Sequence, residues 1–161
     1  MFSQTQNSQF SNDGQNHFEP RRAPQPANSV QQLILLVEDN ADSCNMLRTL
    51  LEIWGYRVIE AHNGEEAISL AKSESPNLVL MDVAIPVVDG LEATRRIREF
   101  AASDVMPVVF ISGYTQNSLR LMALDSGGND YLIKPIDFKE LEKMIDKHIK
   151  KTGATYSLND L

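Results

Sequence analysis

Apolar runs alternate with amphipathic stretches from residue 33 onward, and the two patterns recur along the chain. Leu33–Val37 is a continuous apolar run, which is typical of a strand buried on both faces of a sheet. Asp42–Trp54 instead repeats apolar side chains at three- and four-residue spacing, which predicts a helix that ends near Gly55. The same alternation predicts further strands at 56–61, 77–82, 106–111 and 130–134, with helices between them and a last helix to about Lys150.

This alternation also predicts the fold class. Strands and helices that follow one another through short connections form right-handed crossovers, which build a parallel sheet covered by helices on both faces. The predicted class is therefore α/β, with a doubly wound, five-stranded parallel sheet and five helices. Ligands of such open sheets bind at the carboxyl ends of the strands.

The two ends of the chain have a different composition. Eleven of the residues 1–32 are Gln or Asn, and Val30 is the only aliphatic residue larger than Ala besides Met1. Such a segment cannot bury enough apolar surface to offset the entropy of ordering it. We therefore expect a disordered polar N-terminal tail at 1–32, a folded domain at 33–150 and a flexible C-terminal tail at 151–161, with no output domain after it.

Charge and cysteine content exclude several function classes. The chain has 22 acidic and 15 basic side chains and a net charge of −7. Without a basic excess, we expect no direct nucleic-acid binding and no membrane association, and the basic run at Arg95, Arg96 and Arg98 is interpreted as a solvated helix face. The single cysteine, Cys44, excludes an internal disulfide and a multi-cysteine zinc site. The N-terminus lacks the pattern of a secretory signal, so the expected location is the cytoplasm.

Polar side chains follow or end the predicted strands at one edge of the sheet. Glu38 and Asp39 follow the first strand, Asp82 ends the third, Ser112 follows the fourth and Lys134 ends the fifth. Three carboxylates and one ammonium leave a net negative charge, which a divalent cation would neutralise. Hard oxygen ligands favour Mg²⁺ over Zn²⁺, and protein-bound Mg²⁺ usually pairs with phosphate oxygens. The set therefore predicts phosphoryl chemistry, with Asp82 as the candidate nucleophile for an aspartyl phosphate.

Four strings, in order along the chain, resemble the receiver domain of bacterial two-component response regulators. They are LVEDN at 36–40, MDVAIPVVDG at 81–90, ISGYT at 111–115 and DYLIKP at 130–135. The resemblance covers residues 33–150. It implies a flavodoxin-like, CheY-like sheet with the strand order 2-1-3-4-5.

The resemblance also implies a role for individual residues. Asp82 would be the phosphoacceptor. The implied Mg²⁺ ligands are Glu38, Asp39, Asp82 and the main-chain carbonyl of Ala84. The implied phosphoryl-binding and switch residues are Ser112, Tyr131 and Lys134, and a cis peptide bond is expected before Pro135. Phosphorylation would draw Ser112 inward and admit the ring of Tyr131 into the space it leaves.

The function implied by the resemblance is that of a single-domain response regulator. It would take a phosphoryl group from a histidine kinase or a histidine phosphotransfer protein, and it would catalyse only its own phosphorylation and dephosphorylation. A downstream target protein would bind the face formed by the fourth helix, fifth strand and fifth helix. A phosphorylation-independent scaffold of the same fold stays open as the alternative. A phosphohydrolase is disfavoured because no second Asp lies two residues after Asp82, and a flavin protein because the loop after the first strand is acidic.

Overall fold

Five strands and five helices alternate along residues 31–149, the part of the chain that the computed structural model describes. The strands are β1 (Leu33–Val37), β2 (Arg57–Ala61), β3 (Leu78–Asp82), β4 (Val108–Ser112) and β5 (Asp130–Ile133). The helices are α1 (Ala41–Ile53), α2 (Gly64–Glu74), α3 (Gly90–Arg98), α4 (Asn117–Asp125) and α5 (Phe138–His148). The tails predicted at 1–32 and 151–161 lie outside the described residues, apart from Gln31 and Gln32.

The strands form one parallel sheet in the order β2-β1-β3-β4-β5, which confirms the predicted fold class and strand order. Val37 pairs with Met81 across β1 and β3, and Asp82 pairs with Ile111 across β3 and β4. This register brings the carboxyl ends of β1, β3 and β4 to the same edge. The polar residues that end or follow these strands therefore share one surface.

Each face of the sheet carries its own apolar core. Ile34 and Leu36 of β1 pack with α1 and α5, whereas Leu35 and Val37 pack on the opposite face with α2, α3 and α4. All residues of β1, β3 and β4 are buried. This burial explains why these strands read as continuous apolar runs in the sequence.

Some element ends differ from the sequence-based prediction. β4 starts only after Pro107, which has no amide hydrogen to donate to the strand ladder, and it extends to Ser112. The predicted fourth helix begins two residues later, at Asn117, and the side chain of Gln116 makes no cap hydrogen bond. Gln31 and Gln32 lie against the domain. The side-chain amide of Gln31 donates to the main-chain carbonyl of Gly55 at 3.0 Å, and the main-chain carbonyl of Gln32 accepts from the main-chain amide of Arg57.

The basic run of α3 divides between surface and interior. Arg95 and Arg96 form ion pairs with Glu92 on the helix surface, as expected for a solvated face. Arg98 is instead half-buried at the amino edge of the sheet, so the predicted solvated face is wrong for this residue. Its guanidinium donates to the main-chain carbonyls of Gly127, Ala101 and Met106 and to the Asn129 side chain. These bonds tie the end of α3 to the turn after α4.

Within residues 31–149, no helix has the length and apolar character needed to cross a membrane.

Candidate functional site

Three carboxylates meet at the carboxyl edge of the sheet. Glu38 and Asp39 follow β1 and Asp82 ends the neighbouring β3, so the topology places them side by side. One carboxylate oxygen of each lies within 4.8 Å of the others. Glu38 and Asp82 are buried, whereas Asp39 is exposed. The convergence expected from the strand ends is therefore present in the structure.

Lys134 reaches this cluster from the end of β5. Its Nζ lies 2.8 Å from Glu38 Oε2 and 2.7 Å from Asp82 Oδ2, and 30% of its side chain is exposed. Burial lowers the pKa of the ammonium, but the hydrogen bonds to Asp82 and Glu38 outweigh burial, and the pKa is raised. The shift favours the charged lysine, and the formal charges of the three carboxylates and Lys134 sum to −2.

Main-chain amides fix the orientation of the two buried carboxylates. Asp82 Oδ1 accepts from the amide of Ala84 at 2.9 Å, which leaves Oδ2 for Lys134. Glu38 Oε1 accepts from the amide of Asn40 at 3.1 Å, and its Oε2 also accepts from Lys134. Hard carboxylate oxygens and a net negative charge suit Mg²⁺, so the residues present fit that ion.

The chain after β5 places Lys134 over the site. The amide of Lys134 donates to the carbonyl of Ser112 at 2.8 Å, which extends the β4–β5 pairing by one step. The peptide bond between Lys134 and Pro135 is cis. The ion pairs with Glu38 and Asp82 show that the side chain of Lys134 leaves the sheet at the same edge as the carboxylates.

Ser112 and Tyr131 both contact the loop after β4. Ser112 is buried, and its Oγ accepts from the amide of Tyr114 at 3.1 Å. The hydroxyl of Tyr131 donates to the main-chain carbonyl of Tyr114 at 2.9 Å, and the Tyr131 residue is only 5% exposed. The ring that the sequence interpretation moves inward on phosphorylation is thus already buried in this structure.

Two features near the site are not predicted by the sequence pattern. Val87, in the loop after β3, has a φ of 70°, a left-handed conformation that β-branched residues rarely adopt. The Nδ1 atom of His62 lies 3.1 Å from the main-chain carbonyl oxygen of Glu38. The proximity of His62 to Glu38 follows from the β1–β2 pairing, in which Val37 lies beside Ala61.

The family model described as the response regulator receiver domain matches residues 34–146 of this chain. The chain belongs to this family. Apart from Leu33, the match covers all five strands, and it includes most of α5, so the receiver domain accounts for nearly all of the described residues. The resemblance seen in the four sequence strings is thereby confirmed.

Several relatives of this receiver domain cover it almost end to end. It is 40% identical over 119 residues to an uncharacterized 14.6 kDa protein of Leptolyngbya boryana, covering 74% of this chain and 91% of that protein. It is 34% identical to the protein PilH of Pseudomonas aeruginosa, covering 70% of this chain and 93% of PilH. It also matches the probable transcriptional regulator ycf27 of Porphyridium aerugineum at 37% identity, but this alignment covers only 53% of ycf27.

Solved receiver domains share the fold. The receiver domain of the sensor histidine kinase PA1611 from Pseudomonas aeruginosa superposes with a TM-score of 0.69 and 34% sequence identity. The alignment covers 74% of this chain and 98% of that domain, whose crystal structure has a magnesium ion coordinated in the active site cleft. A two-component response regulator from Clostridium difficile superposes with a TM-score of 0.71 and 29% identity, covering 77% of this chain and 100% of that one.

Proposed function

We propose that this receiver domain acts in the cytoplasm as a response regulator that accepts a phosphoryl group on Asp82 in a Mg²⁺-dependent reaction. The observation that carries the proposal is the cluster of Glu38, Asp39 and Asp82 within 4.8 Å, with Lys134 bonded to two of its members. A structural role would need far fewer charges at this edge. Carboxylates this close repel one another, and a divalent cation would offset that repulsion. Mg²⁺ bound by carboxylates can also bind phosphoryl oxygens.

The proposed reaction forms one bond and breaks another. A carboxylate oxygen of Asp82 attacks phosphorus, the P–N bond of a phosphohistidine donor breaks, and its electron pair returns to the imidazole nitrogen. In hydrolysis, water attacks phosphorus and the P–O bond breaks, which restores the Asp82 carboxylate. The domain catalyses only these two steps on itself and turns over no separate substrate.

Each neighbour of Asp82 has a proposed task. Glu38, Asp39, Asp82 and the main-chain carbonyl of Ala84 would hold Mg²⁺, which supplies positive charge for the phosphoryl oxygens. Lys134 donates a hydrogen bond to Asp82 Oδ2, and after phosphorylation it would donate to an oxygen of the phosphoryl group on Asp82. The Ser112 hydroxyl accepts from the Tyr114 amide, so its own hydrogen remains available to donate to another phosphoryl oxygen.

The proposed output surface is the face of α4, β5 and α5, where a downstream target protein would bind. Among the residues of α4, Ala123 alone is buried, so this helix turns apolar side chains toward solvent. The exposed large apolar residues of these three elements are Leu121, Met122, Leu124, Ile133 and Phe138. The hydrogen bond from Tyr131 on β5 to Tyr114, which lies between β4 and α4, links the loop after Ser112 to this face. The phosphoryl donor would be a histidine kinase or a histidine phosphotransfer protein.

Phosphorylation with acetyl phosphate tests the proposal. With Mg²⁺ present, intact-mass measurement should show an added phosphoryl group that is lost at alkaline pH, as an acyl phosphate is. EDTA or the substitution Asp82→Asn should abolish the adduct, whereas Asp42→Asn, which changes an exposed carboxylate on α1, should leave it unchanged. An adduct on Asp82→Asn would refute the assignment of the phosphoacceptor. A folded wild-type protein that takes no phosphoryl group would favour the phosphorylation-independent scaffold.

A further inference from the structure

The loop between β3 and α3 carries the Ala84 carbonyl and contains a strained turn. Val87 has a φ of 70° and is 78% exposed, so its own side chain gains little burial in exchange. The amide of Val88 donates to the carbonyl of Pro86 at 2.9 Å and closes the turn around Val87. Such a conformation persists only where the surrounding structure holds it.

The first residue of α2 contacts this turn from outside. The amide of Gly64 lies 3.4 Å from the carbonyl oxygen of Pro86, to which it donates. A Cβ atom placed on Gly64 would lie 2.7 Å from the Cβ of Val88 and still closer to the Val88 carbonyl oxygen. The φ of Gly64 is not in the left-handed region, so its own backbone does not require glycine. The close approach of α2 to the turn does require it.

The inner end of the same loop is fixed independently. The amide of Val83 donates to the carbonyl of Ile111 at 3.3 Å, and the Val83 carbonyl accepts from the amide of Gly90 at 3.0 Å. The amide of Ala84 is bonded to Asp82. These three bonds restrain the loop ends, so we expect a displacement of the turn at residues 86–88 to change the backbone between Ala84 and the turn.

We propose that Gly64 is a positioning residue for the metal site. Its bare Cα lets α2 press against the 86–88 turn, and this contact fixes the direction of the Ala84 carbonyl. The inference rests on the proposed function, in which that carbonyl is a Mg²⁺ ligand. It adds a residue from a different helix, 18 positions before Asp82 in the sequence, to the set that determines Mg²⁺ affinity.

The test compares two glycine substitutions that both introduce a clash. Gly64→Ala should raise the Mg²⁺ dissociation constant, measured by isothermal titration calorimetry, by roughly tenfold or more, as substitution of supporting residues around metal ligands does. Gly128→Ala is the matched control, because its Cβ would lie 2.5 Å from the Phe110 ring, at the opposite edge of the sheet. It should lower the thermal midpoint and leave Mg²⁺ affinity unchanged. All titrations are made well below the thermal midpoints of the variants.

The outcomes separate this inference from the proposed function. Mg²⁺ binding by wild type with unchanged affinity in Gly64→Ala would overturn the role of Gly64 and leave the proposed metal site intact. Equal loss of affinity in both variants would assign the effect to general destabilisation and would overturn the role as well. Absence of Mg²⁺ binding by the wild-type protein would refute both. If Gly64→Ala does not fold, the double variant Gly64→Ala, Val87→Gly is compared with Val87→Gly alone, because glycine at the strained position lets the turn move away from the added Cβ. The same results then decide.

Discussion

Substitution of Asp39 by Asn should make the metal-free protein more stable. Asp39 lies within 4.8 Å of carboxylate oxygens of Glu38 and Asp82, and Lys134 is hydrogen-bonded to those two carboxylates. Removing the Asp39 charge therefore relieves two repulsions and leaves the Lys134 bonds in place. A substitution in a proposed metal site would thus raise the free energy of unfolding.

The size of the effect follows from the distance and the exposure. At 4.8 Å, two unit charges repel by about 3.5 kcal/mol at an effective dielectric of 20 and by about 0.9 kcal/mol in bulk water. Asp39 is exposed, so each of its two repulsions lies near the lower value, and together they cost about 2 kcal/mol. Loss of the attraction to Lys134 offsets part of this. The expected net gain for Asp39→Asn is about 1 kcal/mol.

Urea unfolding in EDTA at low ionic strength measures this gain. Asp42→Asn is the control, because Asp42 is an exposed carboxylate in the first turn of α1, where a negative charge stabilises the helix. It should be slightly less stable than wild type. Added salt should shrink the gain of Asp39→Asn by screening. Added Mg²⁺ should stabilise wild type more than Asp39→Asn, because it binds the folded state of wild type more tightly.

The result that refutes this reasoning is a variant no more stable than wild type. If Asp39→Asn unfolds at the same urea concentration as wild type in EDTA, or earlier, repulsion among the three carboxylates does not limit stability. This conclusion requires that the control, Asp42→Asn, shows its expected small loss of stability in the same experiment. The electrostatic basis for expecting a cation at this edge would then fail.

Two further predictions concern the phosphorylated state and acid stability. Exposed Ala84 and half-exposed Tyr114 lie two residues past Asp82 and Ser112, where they would flank the water that hydrolyses the acyl phosphate. Because alanine cannot orient that water and the tyrosine ring can shade the site, Ala84→Asn, Tyr114→Glu should lose its phosphoryl group faster than wild type in Mg²⁺ at one pH; equal or slower decay would exclude this role. Burial raises the pKa of Asp130, but hydrogen bonds from Lys147 and His148 outweigh burial and leave that pKa below 3.8. The stability that this carboxylate contributes is therefore present above about pH 3.8 and is lost as the pH falls further. Urea unfolding at about pH 6 and about pH 3 should show a smaller acid loss for Asp130→Asn than for wild type, and an equal loss would contradict the sign of the shift.

The parts of the structure that the sequence predicted are those determined by strand burial and topology. The apolar run of β1 predicts its observed bounds because both faces of the strand are buried, and parallel pairing alone predicts that Asp39, Asp82 and Lys134 share one edge. Element ends were less predictable where capping chemistry is weak, as at Gln116.

Contacts between residues far apart in the sequence cannot be predicted from hydrophobic periodicity or motif spacing. Gly64 and Val88 are 24 residues apart, and only the packed fold shows that α2 leaves no room for a side chain there. Arg98 follows Arg95 and Arg96 on the same helix, and two of its partners, Gly127 and Asn129, lie 29 and 31 residues further along the chain. The burial of Tyr131 likewise depends on the loop at Tyr114, which no periodicity describes.

The two ends of α4 differ in how they are stabilised. Arg98 donates to the Gly127 carbonyl and to the Asn129 side chain in the turn after the helix, whereas the first turn of α4 begins without a side-chain cap. Local opening of a helix starts at the end with the fewest stabilising bonds. In α4 that end lies beside the Ser112–Tyr114 loop, so fraying would start next to the carboxylate cluster and spread toward the anchored turn. The helix thus has a built-in direction of unfolding, from the carboxyl edge of the sheet to the amino edge.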